Sequence, residues 1–156
     1  TTEIYTLSLH DALPISLDIL GLSAVLREYF SQCTKSNPVK ITFNENIKDI
    51  KLDENVEITL YRIIQEAMFN VFKHSKAGAV KVDLFMTKDK LQLSIEDNGV
   101  GFNVKDLNTM GFAKMGLRGI QERVAILKGA FNIESYEGKG TKLIIILEKE
   151  GLTNAD

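Results

Sequence analysis

Apolar residues recur along this chain with two periods, and the switches between them mark out its elements. Leu22, Val25, Leu26, Tyr29 and Phe30 sit at helical spacing and predict a helix from about Gly21 to Thr34. Lys35-Ser36-Asn37-Pro38 is a connector, after which Val39-Lys40-Ile41-Thr42-Phe43 alternates as a strand. Asp53 is placed to cap a long helix running to about Ser75, with Val56, Leu60, Ile63, Ile64, Ala67 and Val71 as its apolar stripe. Val80, Val82, Leu84 and Met86 then alternate with polar neighbours. Lys88-Asp89-Lys90 turns into Leu91–Ile95, giving a hairpin with one apolar and one wetter face. Residues 102–115 carry no period and predict a long irregular loop, a length typical of lids and binding loops. Leu117 to Lys128 is helical, through Ile120, Val124 and Leu127. Phe131, Ile133 and Ser135 alternate, and Leu143–Leu147 is an unbroken apolar run that suits a central strand. The polar tail from Glu148 is expected to fray. Residues 1–15 show no clean period, and Pro14 would interrupt a helix there. Helices interspersed with strand pairs predict an α+β two-layer sandwich, a mixed β-sheet with helices on one face.

Composition narrows the classes. The chain has 156 residues, enough for one domain with a real core. At 44% apolar and 26% charged it is an ordinary globular sequence, and a formal net charge of −2 gives no support to a nucleic-acid or anionic-membrane surface. Cys33 is the only cysteine, so neither an internal disulfide nor a cysteine zinc site is available. It reads as a small apolar residue near a helix end. Two histidines, His10 and His74, exclude a His-rich metal centre. No apolar run approaches a membrane span, and the N-terminus lacks the basic start of a signal peptide. The expected location is cytoplasmic, within a parent protein that could itself be membrane-bound.

Candidate chemistry gathers in three places. At Ile95-Glu96-Asp97-Asn98-Gly99-Val100-Gly101 an alternating strand runs into a carboxylate and two glycines. Glycine permits close approach of a ligand to the main chain, and a carboxylate that can only accept suits an NH₂-bearing edge. A strand ending in an ordinary Asn-Gly turn is the competing reading. Eight of the eleven glycines lie between Gly99 and Gly140, yet two common phosphate motifs fail. Gly138-Lys139 is followed by Gly140 where a P-loop needs Ser or Thr, and a dinucleotide fingerprint from Gly99 would need glycine at Val104. Met115-Gly116-Leu117-Arg118-Gly119 is placed at a predicted helix start, where free N–H groups favour phosphate. The alternative there is a mobile loop joined to an ordinary helix. Finally Glu66, Asn70 and Lys73 recur at i, i+4 and i+7 on one helix face, with His74 at the helix end. Such a stripe can serve a Mg–nucleotide, or be a plain solvated face.

Taken in order, these stretches resemble a known family. Gln65-Glu66-Ala67-Met68-Phe69-Asn70-Val71-Phe72-Lys73-His74 resembles the N box of histidine-kinase ATPase domains. Asp97–Phe102 resembles their G1 box, Gly116–Arg123 their G2 box, and Gly138-Lys139-Gly140-Thr141 their last glycine turn. Order and spacing agree over about residues 16–149, and the Leu-Arg-Gly-Ile-Gln-Glu-Arg form is most similar to nitrate- and oxygen-sensing kinases. The resemblance implies the Bergerat ATP-binding fold, shared with gyrase, the Hsp90 chaperones and the MutL repair proteins. It implies Asp97 accepting from the adenine amino group, Asn70 on Mg²⁺, Glu66 assisting transfer, and Lys73 and His74 near the nucleotide. It implies that Gly99, Gly101, Gly116, Gly119 and Gly140, with Leu117, frame a lid over the triphosphate, and that Thr141 lies near the adenine. The separate Phe-rich box of other histidine kinases is not evident, since Phe112 alone does not make one.

Leu9-His10-Asp11 imitates the phosphoacceptor box of these kinases, but the imitation fails on length. In the family that histidine begins a hairpin of two long helices. Here only Asp11 to Ile15 separate His10 from Ser16 and the family-like Leu17-Asp18-Ile19-Leu20-Gly21-Leu22, too few for a second helix. Residues 1–15 are therefore expected to be foreign sequence, with an ATP-binding domain at 16–150 and a tail at 151–156. The expected function is the catalytic domain of a two-component sensor histidine kinase. It would use ATP and Mg²⁺ to phosphorylate a histidine on a separate phosphoacceptor domain, and a response regulator would be an indirect partner. The rivals are an anti-sigma-factor serine kinase on the same fold and a nucleotide-binding interaction module without transfer activity.

Overall fold

The computed structural model describes the backbone at residues 2–109 and 111–153 and the side chains at 15–107, 109 and 116–153. The side chains of His10, Asp11 and Phe112 lie outside these. The elements in chain order are α1 (Thr2–Ser36), β1 (Lys40–Glu45), α2 (Glu54–Asn70), β2 (Ala79–Met86), β3 (Lys90–Asp97), α3 (Gly111–Ile126), β4 (Ala130–Ser135) and β5 (Thr141–Glu148). A π-turn over Val71–Ser75 extends α2, and a 3₁₀ turn covers Val104–Thr109. The strands form one five-stranded sheet in the order β1-β2-β3-β5-β4. β1 pairs parallel to β2 across the α2 crossover, and every other pair is antiparallel. The fold is thus the predicted mixed sheet with helices on one face.

Alternation decides which face is covered. Val80, Val82, Leu84, Leu91, Leu93, Ile95, Leu143, Ile145 and Leu147 are buried toward the helices. All six residues of the predicted α2 stripe are buried against them. The other face carries Lys81, Glu96 and Lys142 side by side across three strands. β5 lies inside the sheet, as its apolar run predicts, but Ile144 and Ile146 are only half-buried on the uncovered face. Asp53 caps α2 as expected, its carboxylate accepting from the Asn55 N–H at 2.9 Å.

Four boundaries depart from the sequence reading. The predicted helix from Gly21 is present, but helix already precedes it from Thr2, with a break at Gly21 (φ 78°, ψ 162°). Pro14 falls inside that span, where it removes one helical bond without ending the element. Leu17, ahead of the break, is fully buried in the core. Next, much of the predicted loop 102–115 is helical: the 3₁₀ turn occupies part of it, and α3 starts at Gly111 rather than Leu117. Extending a helix by a turn is far easier than nucleating one, so α3 propagates backwards into residues with no apolar period of their own. The long α2 keeps its predicted end, but its last turn is π rather than α. Lastly, the expected fraying tail is tied down at Leu152, which is 3% exposed and whose carbonyl accepts from the Asp53 N–H at 2.7 Å. A single anchoring leucine leaves no periodic signal. Among the described residues no helix is long and apolar enough to cross a membrane.

Glu45 at the end of β1 fastens α1 to the sheet. Its carboxylate accepts from Ser23 Oγ (2.9 Å), Arg27 Nη2 (2.8 Å) and the Ile47 N–H (2.7 Å). Burial pushes its pKa up, but the bonds from Arg27, Ser23 and Ile47 outweigh it and hold the pKa below the ordinary value. A depressed folded pKa stabilises fully above the unfolded value, about 4.3, and the benefit disappears as pH falls through the lower folded value. Urea unfolding at a series of pH values should therefore show Glu45→Gln less stable than the parent at pH 7, with the difference shrinking below about pH 4. A pH-independent difference would remove Glu45 from that role.

Candidate functional site

The end of β3 is where three backbone segments meet. Asp97 is the last residue of β3, paired with Val80 on β2 and Thr141 on β5. After it the chain runs under the end of the π-turn. The Val100 N–H donates to Ser75 O (2.7 Å), and Asn98 Oδ1 accepts from the N–H groups of Gly78 and Ala79 (both 2.9 Å). On the other side the Gly138 N–H donates to Val100 O at 2.6 Å. The glycines are needed for this crossing of chains. A Cβ at Gly99 would land on the Ser75 carbonyl, one at Gly101 (φ 59°) on the Tyr136 carbonyl, and one at Gly140 (φ 80°) on the Asp97 carbonyl. On the side where a Cβ would stand, the space at Gly99 and Gly101 is thus taken by other backbone.

The result is a cavity of about 210 Å³ whose described lining includes Asn70, His74, Asp97, Gly101, Leu117 and Thr141. These six predicted site residues are brought together from α2, the π-turn, β3, α3 and β5. Its walls are Ala67, Val71, Ile95, Val100, Phe102 and Leu143. Ala67, Val71, Val100 and Phe102 belong to the motif stretches, but nothing in the sequence marks them as cavity walls, and Leu143 reads as core. Asp97 is 8% exposed. Burial raises its pKa and neighbouring Glu96 adds to the rise, while the Gly99 and Thr141 N–H groups pull it back without cancelling it. The Gly99 N–H lies 2.8 Å from Asp97 Oδ1. A carboxylate so placed presents its remaining lone pairs to an otherwise apolar chamber, suited to a flat ligand with an amino edge.

Other candidates sit around the cavity rather than in it. Glu66 and Asn70 face α3 side by side: a Cβ at Gly116 would come within 2.8 Å of Glu66 Oε1 and 3.1 Å of Asn70 Oδ1. Gly116 is therefore where α3 crosses the polar stripe of α2. It does not lie at a helix start, because α3 begins five residues earlier at Gly111. The expected free N–H groups at Gly116, Leu117 and Gly119 are thus corrected to helix-interior ones, and the Gly119 carbonyl accepts from Arg123 Nη1 at 3.2 Å. Lys73 also departs from expectation. The π-turn winds extra backbone into one turn, so residues beyond Asn70 leave the i, i+4, i+7 face. His74 reaches the cavity lining, while Lys73 Nζ stands 5.9 Å from the ring centre of the exposed Phe69. Gly99 and Gly140 support the site through the backbone contacts above.

Residues 55–151 match the model of the "Histidine kinase-, DNA gyrase B-, and HSP90-like ATPase" family. The chain belongs to that family. The matched span of this ATPase domain runs from α2 to just beyond β5 and so contains the whole cavity. The chain is similar to the oxygen sensor histidine kinase NreB of Staphylococcus carnosus, with 36% identity over 86% of the chain and 38% of that protein. It is also similar to the sensor histidine kinase ComP of Bacillus subtilis, with 40% identity over 89% of the chain and 18% of that protein. It therefore spans well under half of either relative. Among solved structures, the histidine kinase domain of the Erythrobacter litoralis blue-light activated kinase superposes with a TM-score of 0.65 at 20% identity, over 85% of this chain and 67% of that one. The mycobacterial sensor histidine kinase MprB gives 0.62 at 18% identity, over 81% and 93%. At these identities the superpositions speak for the fold.

The glycine framework makes a graded prediction. Gly99→Ala forces a methyl into the Ser75 carbonyl and should destabilise the domain by about 2 kcal/mol or more. Gly138 has positive φ (78°) but nothing within 4 Å of an added Cβ, so Gly138→Ala should cost about 1 kcal/mol of backbone strain alone. Chemical denaturation of both variants checks the order, and a Gly99 variant as stable as the Gly138 one contradicts the packing argument.

Proposed function

We propose that this ATPase-family domain is the catalytic ATP-binding domain of a two-component sensor histidine kinase. The observation that carries the reading is Asp97, a buried carboxylate with free acceptor capacity at the end of an apolar cavity. In that pose adenine enters between Ile95, Val100 and Leu143, and its amino group donates to Asp97. Thr141 lies beside the same edge, and the phosphates extend toward Asn70 and His74. The similarity to two sensor histidine kinases supports a histidine as the acceptor, on a phosphoacceptor domain elsewhere in the parent protein. A cytoplasmic location and a response regulator as indirect partner belong to the same reading.

The residues present fit a magnesium ion. Asn70 Oδ1 and Glu66 Oε1 are neighbouring oxygen donors, the ligand type a hard cation prefers, and the missing side chain at Gly116 keeps the space beside them from being filled. Asn70 would hold the ion, which when bound supplies neutralisation of phosphate charge. The protein's own contribution is positioning. The cavity fixes the base, His74 stands near the phosphate path, and Glu66 is placed to take the proton of the attacking imidazole. The imidazole nitrogen bonds to the γ-phosphorus, the bond to the bridging oxygen breaks, and ADP leaves. Incubation with labelled ATP and a separately supplied phosphoacceptor domain tests transfer. Label appearing on that domain's histidine is expected, and ATP binding without transfer would reduce the chain to a binding module.

Asp97→Asn should weaken ATP binding by roughly ten-fold or more, as bonds to charged groups are worth about 1.5–3 kcal/mol. GTP, which presents a carbonyl at that edge, should lose less. Because the Asp97 pKa is raised, ATP affinity in the parent should fall with decreasing pH at a higher pH than an ordinary aspartate, near 3.9, would dictate. Calorimetry reads both effects, and equal affinities of parent and variant would remove Asp97 from the site.

Asn70→Ala should abolish most of the Mg²⁺ dependence of nucleotide affinity while sparing metal-free binding. Titrations with and without Mg²⁺ decide this. The same loss in both would make Asn70 a structural residue.

A further inference from the structure

Behind Thr141 lies a buried hydroxyl that the proposed chemistry does not use. Ser135, the last residue of β4, is 4% exposed and is the register partner of Thr141. Its Oγ accepts from the Phe102 N–H (2.9 Å), lies 3.1 Å from the Gly140 carbonyl oxygen and 2.8 Å from Thr141 Oγ1. Counting protons fixes the directions. The carbonyl of Gly140 can only accept, so the single Ser135 proton goes to it. Ser135 Oγ then has one lone pair for the Phe102 N–H and one left, so the Thr141 hydroxyl donates to Ser135. The Thr141 proton points away from the cavity, and only its lone pairs remain for a ligand. Asp97, paired with Thr141 across β3 and β5, is an acceptor as well.

We infer that Ser135 is a specificity-determining positioning residue: by holding the Thr141 proton it makes the Thr141–Asp97 wall of the cavity accept hydrogen bonds and not donate them. This rests on the adenine-binding reading above and extends it to how the pocket rejects 6-oxo purines. An amino group at purine position 6 can donate to such a wall. A carbonyl oxygen there meets only other lone pairs, and an unmatched polar edge is what gives a hydrogen-bonding site its discrimination. Phe102, which lines the cavity, is held by the same hydroxyl through its N–H, so one side chain supports both Thr141 and this wall.

The test is the ratio of ATP to inosine triphosphate affinity, measured by calorimetry with the whole chain. Inosine triphosphate differs from ATP at position 6, where a carbonyl replaces the amino group, and at the adjoining N1, which then carries a proton. In Ser135→Ala the Thr141 hydroxyl is free to turn and donate to the 6-oxygen, so the ratio should narrow by about five-fold, the size of one neutral hydrogen bond. Thr141→Val should narrow it as well, and S135A added to T141V should narrow it no further, since Ser135 acts through Thr141. A purely structural Ser135 would lower both affinities together and leave the ratio unchanged, and that result overturns the inference. Should S135A not fold, Ser135→Cys keeps the volume with a weak donor and acceptor, and the same narrowing is required of it. A parent protein that shows no preference for ATP over inosine triphosphate overturns the adenine reading itself.

Discussion

Keeping a carboxylate out of water is costly, and the surroundings of Asp97 meet that cost without occupying all of its lone pairs. Two backbone N–H groups, from Gly99 and Thr141, face it, and among the described residues no cation lowers its pKa. A lysine or arginine there would stabilise the charge but also occupy the lone pairs. Backbone donors leave part of the carboxylate free, and they can do so only if three chain segments cross close to one another. The glycines at 99, 101 and 140 make that crossing possible, and the Ser75, Asn98 and Ser135 hydrogen bonds hold it.

The helical layer is fitted to the same point. Gly116 lets α3 cross α2 at Glu66 and Asn70, and the π-turn after Asn70 brings His74 and Ser75 to the cavity while sending Lys73 outward. The polar stripe of α2 is thus continuous with the apolar chamber.

Much of this was legible from the residues. Period-two and helical spacing placed every strand and the cores of the main helices, because burial on one face imposes those periods directly. The order of the polar and glycine motifs located Asn70, His74, Asp97 and Thr141. What was hidden had physical causes. A π-turn has no period distinct from the helix it extends, so the side to which Lys73 turns cannot be read. The start of α3 depends on propagation from Leu117 onward, and residues 111–115 carry no pattern of their own. Leu152 is one apolar residue in a polar tail. Ser135 looked like any inward strand position, since a hydroxyl that directs another hydroxyl's proton leaves no trace in composition or spacing.

The sheet order has a consequence for how the protein is made. Asp97 and Thr141 come from strands far apart in the chain, and Val80 and Lys40 lie on neighbouring rungs of a parallel pair whose strands are joined through α2. Non-local pairings of this kind carry a loop-closure cost and dominate the folding time. The two acceptor residues become neighbours only when β5 has zipped onto β3. A chain emerging from synthesis, or one recovering from stress, would therefore lack the Asp97–Thr141 wall of the cavity until its last strand is in place. Any ligand held by both residues therefore requires the completed sheet.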